Sequence, residues 1–295
     1  MDTNTIIIED GLITCFNGVE ITQEDLCNGY LNGENLASRN ESLVGADLSD
    51  INFDGADMTG ADLTGANLTE SFLINTNLSD VTLTACICKD TDFTEAFMAG
   101  ANLDNSDLTG AILTGADMRG VSLKNTDISV ANFAGSNMSN ADFSGQVLNG
   151  YDFTGCTLEE TNFAGAELDN ANFSDTFLQY SQFKNASLKN TNFKNADLSD
   201  AYFGEADMTG SDLKGASLIN ASMLNTTLVS ADLTSAMLAG TDFTGADLSN
   251  AKLTNALVID EIVKGDVNVT RMADFTDAKL DNADFTGVDM TQLVF

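Results

Sequence analysis

Ala56-Asp57-Met58-Thr59-Gly60, Ala61-Asp62-Leu63-Thr64-Gly65 and Ala66-Asn67-Leu68-Thr69-Glu70 follow one another without a break. Each is a small residue, Asp or Asn, a large apolar residue, then two residues that are mostly small and polar. Stepping by five from Leu43 to Val258 gives 44 such units with no slip of register. Self-similarity at a fixed short period is the mark of a solenoid, in which no unit buries its apolar face alone. An ordinary globular domain is excluded.

A period of five suits neither a 3.6-residue helix nor a two-residue strand alternation, so every fifth side chain must face one interior. The central position is Leu, Phe or Met, with Cys88, Ile128 and Val258 as exceptions. The position two before it is mostly Ala, Ser or Thr, which a narrow core filled by one large and one small residue per side requires. A longer period is superposed. Phe53, Phe93, Phe133, Phe153, Phe173 and Phe193 form one series; Phe143, Phe163, Phe183, Phe203 and Phe243 form another. All are separated by multiples of ten, so a coil has an even number of sides. On a four-sided coil, Phe stacks on two opposing faces.

These residues resemble the pentapeptide-repeat family, with its Ala-(Asp/Asn)-Leu-X-X unit, over about three quarters of the chain. The resemblance implies an all-β fold, a right-handed quadrilateral parallel β-helix with four pentapeptides per coil. Eleven coils at ~4.8 Å would extend roughly 50 Å.

The chain divides by phase. Residues 1–42 read as an N-terminal cap. Ile6 to Ile8, Glu9-Asp10-Gly11 and Leu12 to Phe16 suggest a short hairpin. Phe16, Ile21, Leu26, Leu31 and Leu36 then form a degenerate array in another phase. Residues 43–258 are the uninterrupted array. Residues 259–272 lack the pattern and read as a projecting loop. Residues 273–295 restart the pattern, with Phe275, Leu280, Phe285, Met290 and Phe295 at central positions. Gln146 and Tyr151 occupy successive small-residue positions, where a local widening or an outward turn is expected.

Composition limits function. There is no His, so the commonest general base and metal ligand is missing. No catalytic triad, phosphate-binding loop, dinucleotide fingerprint or metal-ligand spacing is present, so an enzyme, a cofactor and a bound metal are not expected. Cys86, Cys88 and Cys156 fall at inward positions and serve as small apolar residues; Cys15 and Cys27 have no metal-like spacing. A reducing, cytoplasmic location is the simpler reading. The N-terminus lacks the basic and long apolar regions of a signal peptide, and no stretch spans a membrane.

Net charge is −33, from 45 acidic and 12 basic residues. That opposes direct binding to nucleic acid or anionic lipid and favours a basic partner. A saline habitat explains the acidity equally well. Asp sits mostly just before the central residue, where a turn role with a solvated carboxylate is expected. Lys184, Lys189 and Lys194 form a partial basic belt that relieves charge repulsion. Apolar residues at outward positions are the more informative exceptions: Phe97, Phe177, Met237 and Leu257, with Tyr180, Ile219 and Ile259 nearby, and Phe72 and Ile112 on a neighbouring face. They suggest a protein interface.

Two readings follow, the first implied by the resemblance and the second by the outward apolar residues. One is a DNA mimic engaging gyrase or topoisomerase IV; the other is a scaffolding solenoid for protein–protein contacts. The resemblance also implies a homodimer through the C-terminal end, where Phe295 falls on a core-facing position.

Overall fold

The computed structural model describes residues 7–9, 12–14, 20–22, 43–264 and 267–295. It divides into two compact units, Met1–Asp142 and Phe143–Phe295.

One pentapeptide shows how a side is made. Ala61 and Leu63 point inward and are buried, and Asp62 between them points out. The chain then turns at Thr64-Gly65, with the Ala66 N–H donating to the Leu63 carbonyl at 2.9 Å and Gly65 at φ +69°. An i→i+3 bond with positive φ only at the third residue is a type II turn, which Gly and then Asn or Asp adopt with least strain. The next coil is held by the backbone. Leu63 N–H donates to the Thr82 carbonyl (2.8 Å), Thr82 N–H to Ala61 (2.9 Å), and Gly65 N–H to Thr84 (2.9 Å). Partners lie twenty residues on and run parallel, so four pentapeptides close one coil.

Each unit has four outward columns, one per side, numbered within the unit. In the first unit they are side I, Asp47 to Asp127; side II, Asn52 to Asn132; side III, Asp57 to Asn137; and side IV, Asp62 to Asp142. In the second they are side I, Val147 to Lys279; side II, Asp152 to Asp284; side III, Thr157 to Leu257; and side IV, Asn162 to Val294.

The core of the second unit is aromatic and ordered. Phe163 stacks on Phe183 with ring centroids 5.0 Å apart and 8° between planes; Phe153 stacks likewise on Phe173 at 4.8 Å and 7°. The two columns, on opposing sides II and IV, meet edge to face: Phe163 to Phe173 is 5.6 Å at 77°. Both are favourable aromatic geometries. The expected opposing Phe stacks are therefore present, and their contact across the coil is an added feature.

Inward hydroxyls donate to backbone carbonyls, some three residues back, as Ser106, Thr176 and Ser181 do, and others on the preceding coil. Thr76 donates to the Phe53 carbonyl, Thr91 to Leu68 and Thr226 to Phe203, each 23 residues back. The buried Ser211 hydroxyl has no such partner. Cys86 follows the second pattern through its thiol, to Leu63 at 2.8 Å. Its hydrogen bond with Cys88 lowers the Cys86 thiol and, together with burial, pushes the Cys88 thiol well up; both side chains are buried in the core. Cys15 and Cys27 lie outside the described residues.

Gln146 and Tyr151 are half-buried, and their coil keeps its regular bonds. Their N–H groups donate to Phe143 and Leu148 at 3.1 and 3.2 Å; their carbonyls accept from Glu167 and Asn172. Large side chains at these positions are turned partly outward without breaking the ladder.

Three departures from the pentapeptide pattern are ordered structure. Near the N-terminus β1 (Ile7–Glu9), β2 (Leu12–Thr14) and β3 (Glu20–Thr22) form an antiparallel sheet, with Ile8 opposite Ile13 and Ile13 opposite Ile21. Ile21 thus belongs to an antiparallel strand, not to a degenerate parallel coil; Phe16, Leu26, Leu31 and Leu36 lie outside the described residues.

Residues 259–272, expected as a loop, are a hairpin of β4 (Ile259–Lys264) and β5 (Val267–Met272) in full register from Ile259↔Met272 to Lys264↔Val267. Its β-branched residues favour strands. The solenoid resumes directly beneath it: Asp242 pairs with Asp274, an offset of 32 instead of 20.

Met290, expected at a core-facing position, instead opens a 3-10 turn, Met290–Gln292, and is exposed. The Asp289 carboxylate caps that turn by accepting from the Thr291 N–H at 3.0 Å. Beyond it Val294 rejoins the ladder against Asp274, and Phe295 stacks on Phe275.

Candidate interaction surface

The outward Asp residues have a local structural role. The Asp62 carboxylate accepts from the Thr64 N–H at 3.0 Å and from its hydroxyl at 2.6 Å, and Asp57–Thr59, Asp152–Thr154 and Asp207–Thr209 repeat the arrangement. One oxygen braces the turn while the other faces solvent or a neighbouring coil. Asn does the same and also bridges coils, as Asn67 does to Asp47 at 3.0 Å. Among the described residues no group of His, Cys, Asp or Glu is arranged to hold a metal ion, and no helix is long and apolar enough to cross a membrane.

Charge is distributed unevenly round the second unit. Its ion pairs lie on sides I and II: Lys189–Asp207 at 3.4 Å, Lys214 between Asp212 and Asp232 at 3.1 Å each, Lys252–Asp232 at 3.5 Å and Lys279–Asp247 at 3.0 Å. Partial burial pushes the Asp232 pKa up, but the Thr234 hydroxyl and the Lys214 ammonium outweigh it and hold the carboxyl below the usual range. Lys184 and Lys194, the rest of the predicted belt, are exposed at neighbouring corners.

Sides III and IV of this unit carry most of its exposed large apolar residues, with Val147 on side I a 61% exposed exception. Side III reads Thr157, Phe177, Asp197, Ser217, Met237, Leu257. Phe177 is 52% exposed, Leu257 60%, and Tyr180 lies exposed at the next corner. Tyr202 and Leu224 are exposed on side IV; sequence reading overlooked them, although Tyr202 occupies the outward position just before a central Phe. Ile219 and Ile259 are half-buried. Phe97 is exposed on side III of the first unit, with Phe72 and Ile112 on side II, two coils apart, and Ile87 on side I. The structure therefore brings Phe177, Tyr180, Met237 and Leu257 to one side of one unit, leaves Phe97 in the other, and places Phe295 on the terminal coil.

The family model for pentapeptide repeats matches in overlapping copies from residue 42 to 257, missing only residue 85, and again over 271–292. The chain belongs to the pentapeptide-repeat family. Its fold is accordingly the right-handed quadrilateral β-helix, and the match passes over 258–270, where the hairpin is inserted.

Solved structures of pentapeptide-repeat proteins are similar. HetL, involved in heterocyst differentiation regulation in the cyanobacterium Nostoc sp. strain PCC 7120, is 22% identical over 81% of this chain and 89% of its own, with a TM-score of 0.43. A pentapeptide-repeat protein of the Arabidopsis thaliana thylakoid lumen is 32% identical over 37% of this chain and 70% of its own, with a TM-score of 0.26. QnrB1, a plasmid-mediated fluoroquinolone resistance protein, is 15% identical over 83% and 91%, with a TM-score of 0.28. Family membership rests on the repeat match, not on these superpositions. No curated protein matches the sequence.

Proposed function

We propose that this chain is a non-enzymatic, cytoplasmic solenoid that binds a basic protein surface, and that residues 43–142 act as a DNA mimic toward a DNA-handling enzyme such as gyrase or topoisomerase IV. The observation that carries this reading is charge density. These 100 residues form five coils and hold 15 acidic against 3 basic residues, between two and three net negative charges per coil. A coil rises ~4.8 Å, over which B-form DNA carries about three charges. A groove built to hold a duplex meets a similar field here, and long-range attraction would steer the encounter. The fluoroquinolone-resistance role of QnrB1 is compatible with this target.

Supercoiling by gyrase and relaxation of supercoiled DNA by topoisomerase IV, each titrated with the protein at low and at raised salt, test the reading. Inhibition or quinolone protection at micromolar concentration, weakening as salt rises, is expected. No effect on either enzyme at any salt removes this target. The second reading, a scaffold that docks a protein partner, is favoured by the apolar residues on side III of the second unit, a feature that charge mimicry does not require.

A further inference from the structure

We infer that sides III and IV of the second unit form a docking surface for a cationic amphipathic segment of another protein, one in which large apolar and basic side chains alternate on a single face. The inference deepens the protein-binding reading and is independent of gyrase.

Three observations converge. First, the apolar exposure is one-sided: between residues 143 and 258 every exposed large apolar residue except Val147 lies on sides III and IV. Second, Lys–carboxylate ion pairs are confined to the opposite half, and the one Lys at a corner of these two sides, Lys184 on side IV, is exposed and in none of them. Among the described residues Asp197, Asp200, Glu205 and Asp242, on or beside these two sides, form no ion pair, whereas on sides I and II Asp207, Asp212, Asp232 and Asp247 are met by Lys189, Lys214, Lys252 and Lys279, leaving Asp152 and Glu167 there without one. Asp197 lies between Phe177 and Met237 in a single column, so an occupant running along it meets apolar, acidic, small, apolar and apolar groups in turn. At ~4.8 Å per coil those four steps span about 19 Å, the length of roughly 13 helical residues.

Third, the hairpin borders this strip. β4 leaves the coil two residues after Leu257, and its return strand passes beside Gly240, where a Cβ would lie 3.6 Å from Arg271 Cβ. The hairpin therefore stands at the corner next to Met237 and Leu257. Asp197 is hydrogen-bonded by Gln179 and Ser199 but has no cationic partner, and apolar anchors beside such carboxylates select a partner that is both greasy and basic. A purely basic partner would leave the rings unused, and a second copy of this chain would bring carboxylates against carboxylates.

The test uses two labelled 14-residue peptides with equal numbers of Lys, one with Leu and one with Ser alternating with Lys on the same face of the helix, titrated against the intact protein by fluorescence anisotropy. The Leu–Lys peptide should bind at least tenfold more tightly, and the difference should persist in 0.5 M salt because apolar contact is not screened. Phe177→Thr/Met237→Thr/Leu257→Thr should abolish the difference. Thr occupies outward positions elsewhere, at Thr82 and Thr227, so the coil accepts it. Phe72→Thr/Ile87→Thr/Ile112→Thr should leave it intact.

Should the triple variant melt early, Phe177→Thr and Leu257→Thr are read singly, each expected to lose at least threefold for the Leu–Lys peptide alone. Equal binding of the two peptides overturns the inference, as does equal loss in both triple variants. Wild-type self-association that the side III substitutions dissolve also overturns it, since the occupant would then be a second copy. Supercoiling is not part of this readout, so failure of the gyrase reading and failure of this one are told apart.

Discussion

Val130 adopts a left-handed backbone, φ 52°, at the third position of its turn and is 80% exposed. Most residues at this position are Gly, Asn or Asp, and a β-branched side chain there carries strain of about 1–2 kcal/mol. Val130→Asn should raise stability by about 1 kcal/mol, read as a higher urea midpoint; an unchanged or lower midpoint contradicts the turn geometry. Asp247 permits a test with pH. The Ser249 hydroxyl holds its carboxyl below the usual range; partial burial opposes, and the Ser249 N–H and the Lys279 ammonium reinforce. A depressed folded-state pKa contributes stability that is complete above the unfolded value and lost as pH falls through the folded one. Asp247→Asn should therefore lower the urea midpoint at pH 7, and the gap to wild type should close below about pH 4. A gap independent of pH would mean that the charge contributes nothing. At this scale the sequence was legible wherever one residue type fills one role, as inward Ala, central Leu and Asp before the turn do. It was not legible where a residue answers to a neighbour twenty positions away. Gly210 shows why: the Asn190 carboxamide oxygen of the preceding coil would lie 2.6 Å from any Cβ there.

The coil is the element on which the packing argument turns. Phe163 lies fully buried, stacked between Phe143 and Phe183 and edge-on to Phe153 and Phe173. Phe163→Leu keeps an apolar residue in the layer but loses volume and those ring contacts, and should cost about 1–2 kcal/mol. Ala166 is also fully buried in the same close-packed layer, so Ala166→Leu should displace backbone or neighbours and cost about 3 kcal/mol or more. Denaturant titration of both variants compares them; a smaller loss for Ala166→Leu would mean that the small inward position is not tightly packed. The two-face placement of Phe was readable because spacing by tens admits only an even-sided coil. The hairpin was not, because residues 259–272 carry β-branched residues without the period-five pattern, and only the resumption at Ala273 showed that the insertion leaves the coil intact. The 3-10 turn at Met290 was hidden for the opposite reason: Asp289-Met290-Thr291 imitates the repeat and satisfies the same Asp-to-Thr bond in another backbone conformation.

At the scale of the whole molecule, the remaining feature is the terminal coil. Phe295 rests on Phe275 with centroids 6.1 Å apart, yet 61% of it is exposed, and Met290 and Val294 are exposed beside it. Among the described residues the ladder of side IV runs to Val294, and the apolar side chains of Met290, Val294 and Phe295 are exposed together there. Such an apolar end is a template for association unless something covers it. The hairpin is poorly placed to do so, because its return strand lies beside Gly240, a coil earlier than its point of departure and away from Phe295. Two-fold packing of this end against a second copy covers these side chains in one closed interface, and closure favours a dimer over a growing filament. Light scattering should find a dimer at tens of micromolar, insensitive to salt because the buried surface is apolar. Phe295→Asp should give a monomer with an almost unchanged thermal melt, since the ring is mostly solvent-facing in one protomer. Truncation after Ser249, which removes the terminal coil and the hairpin, should also abolish the dimer, by exposing a coil whose side chains have not evolved to pair. A wild-type protein that is monomeric at that concentration, or a Phe295→Asp variant that remains dimeric, would rule out association through this end.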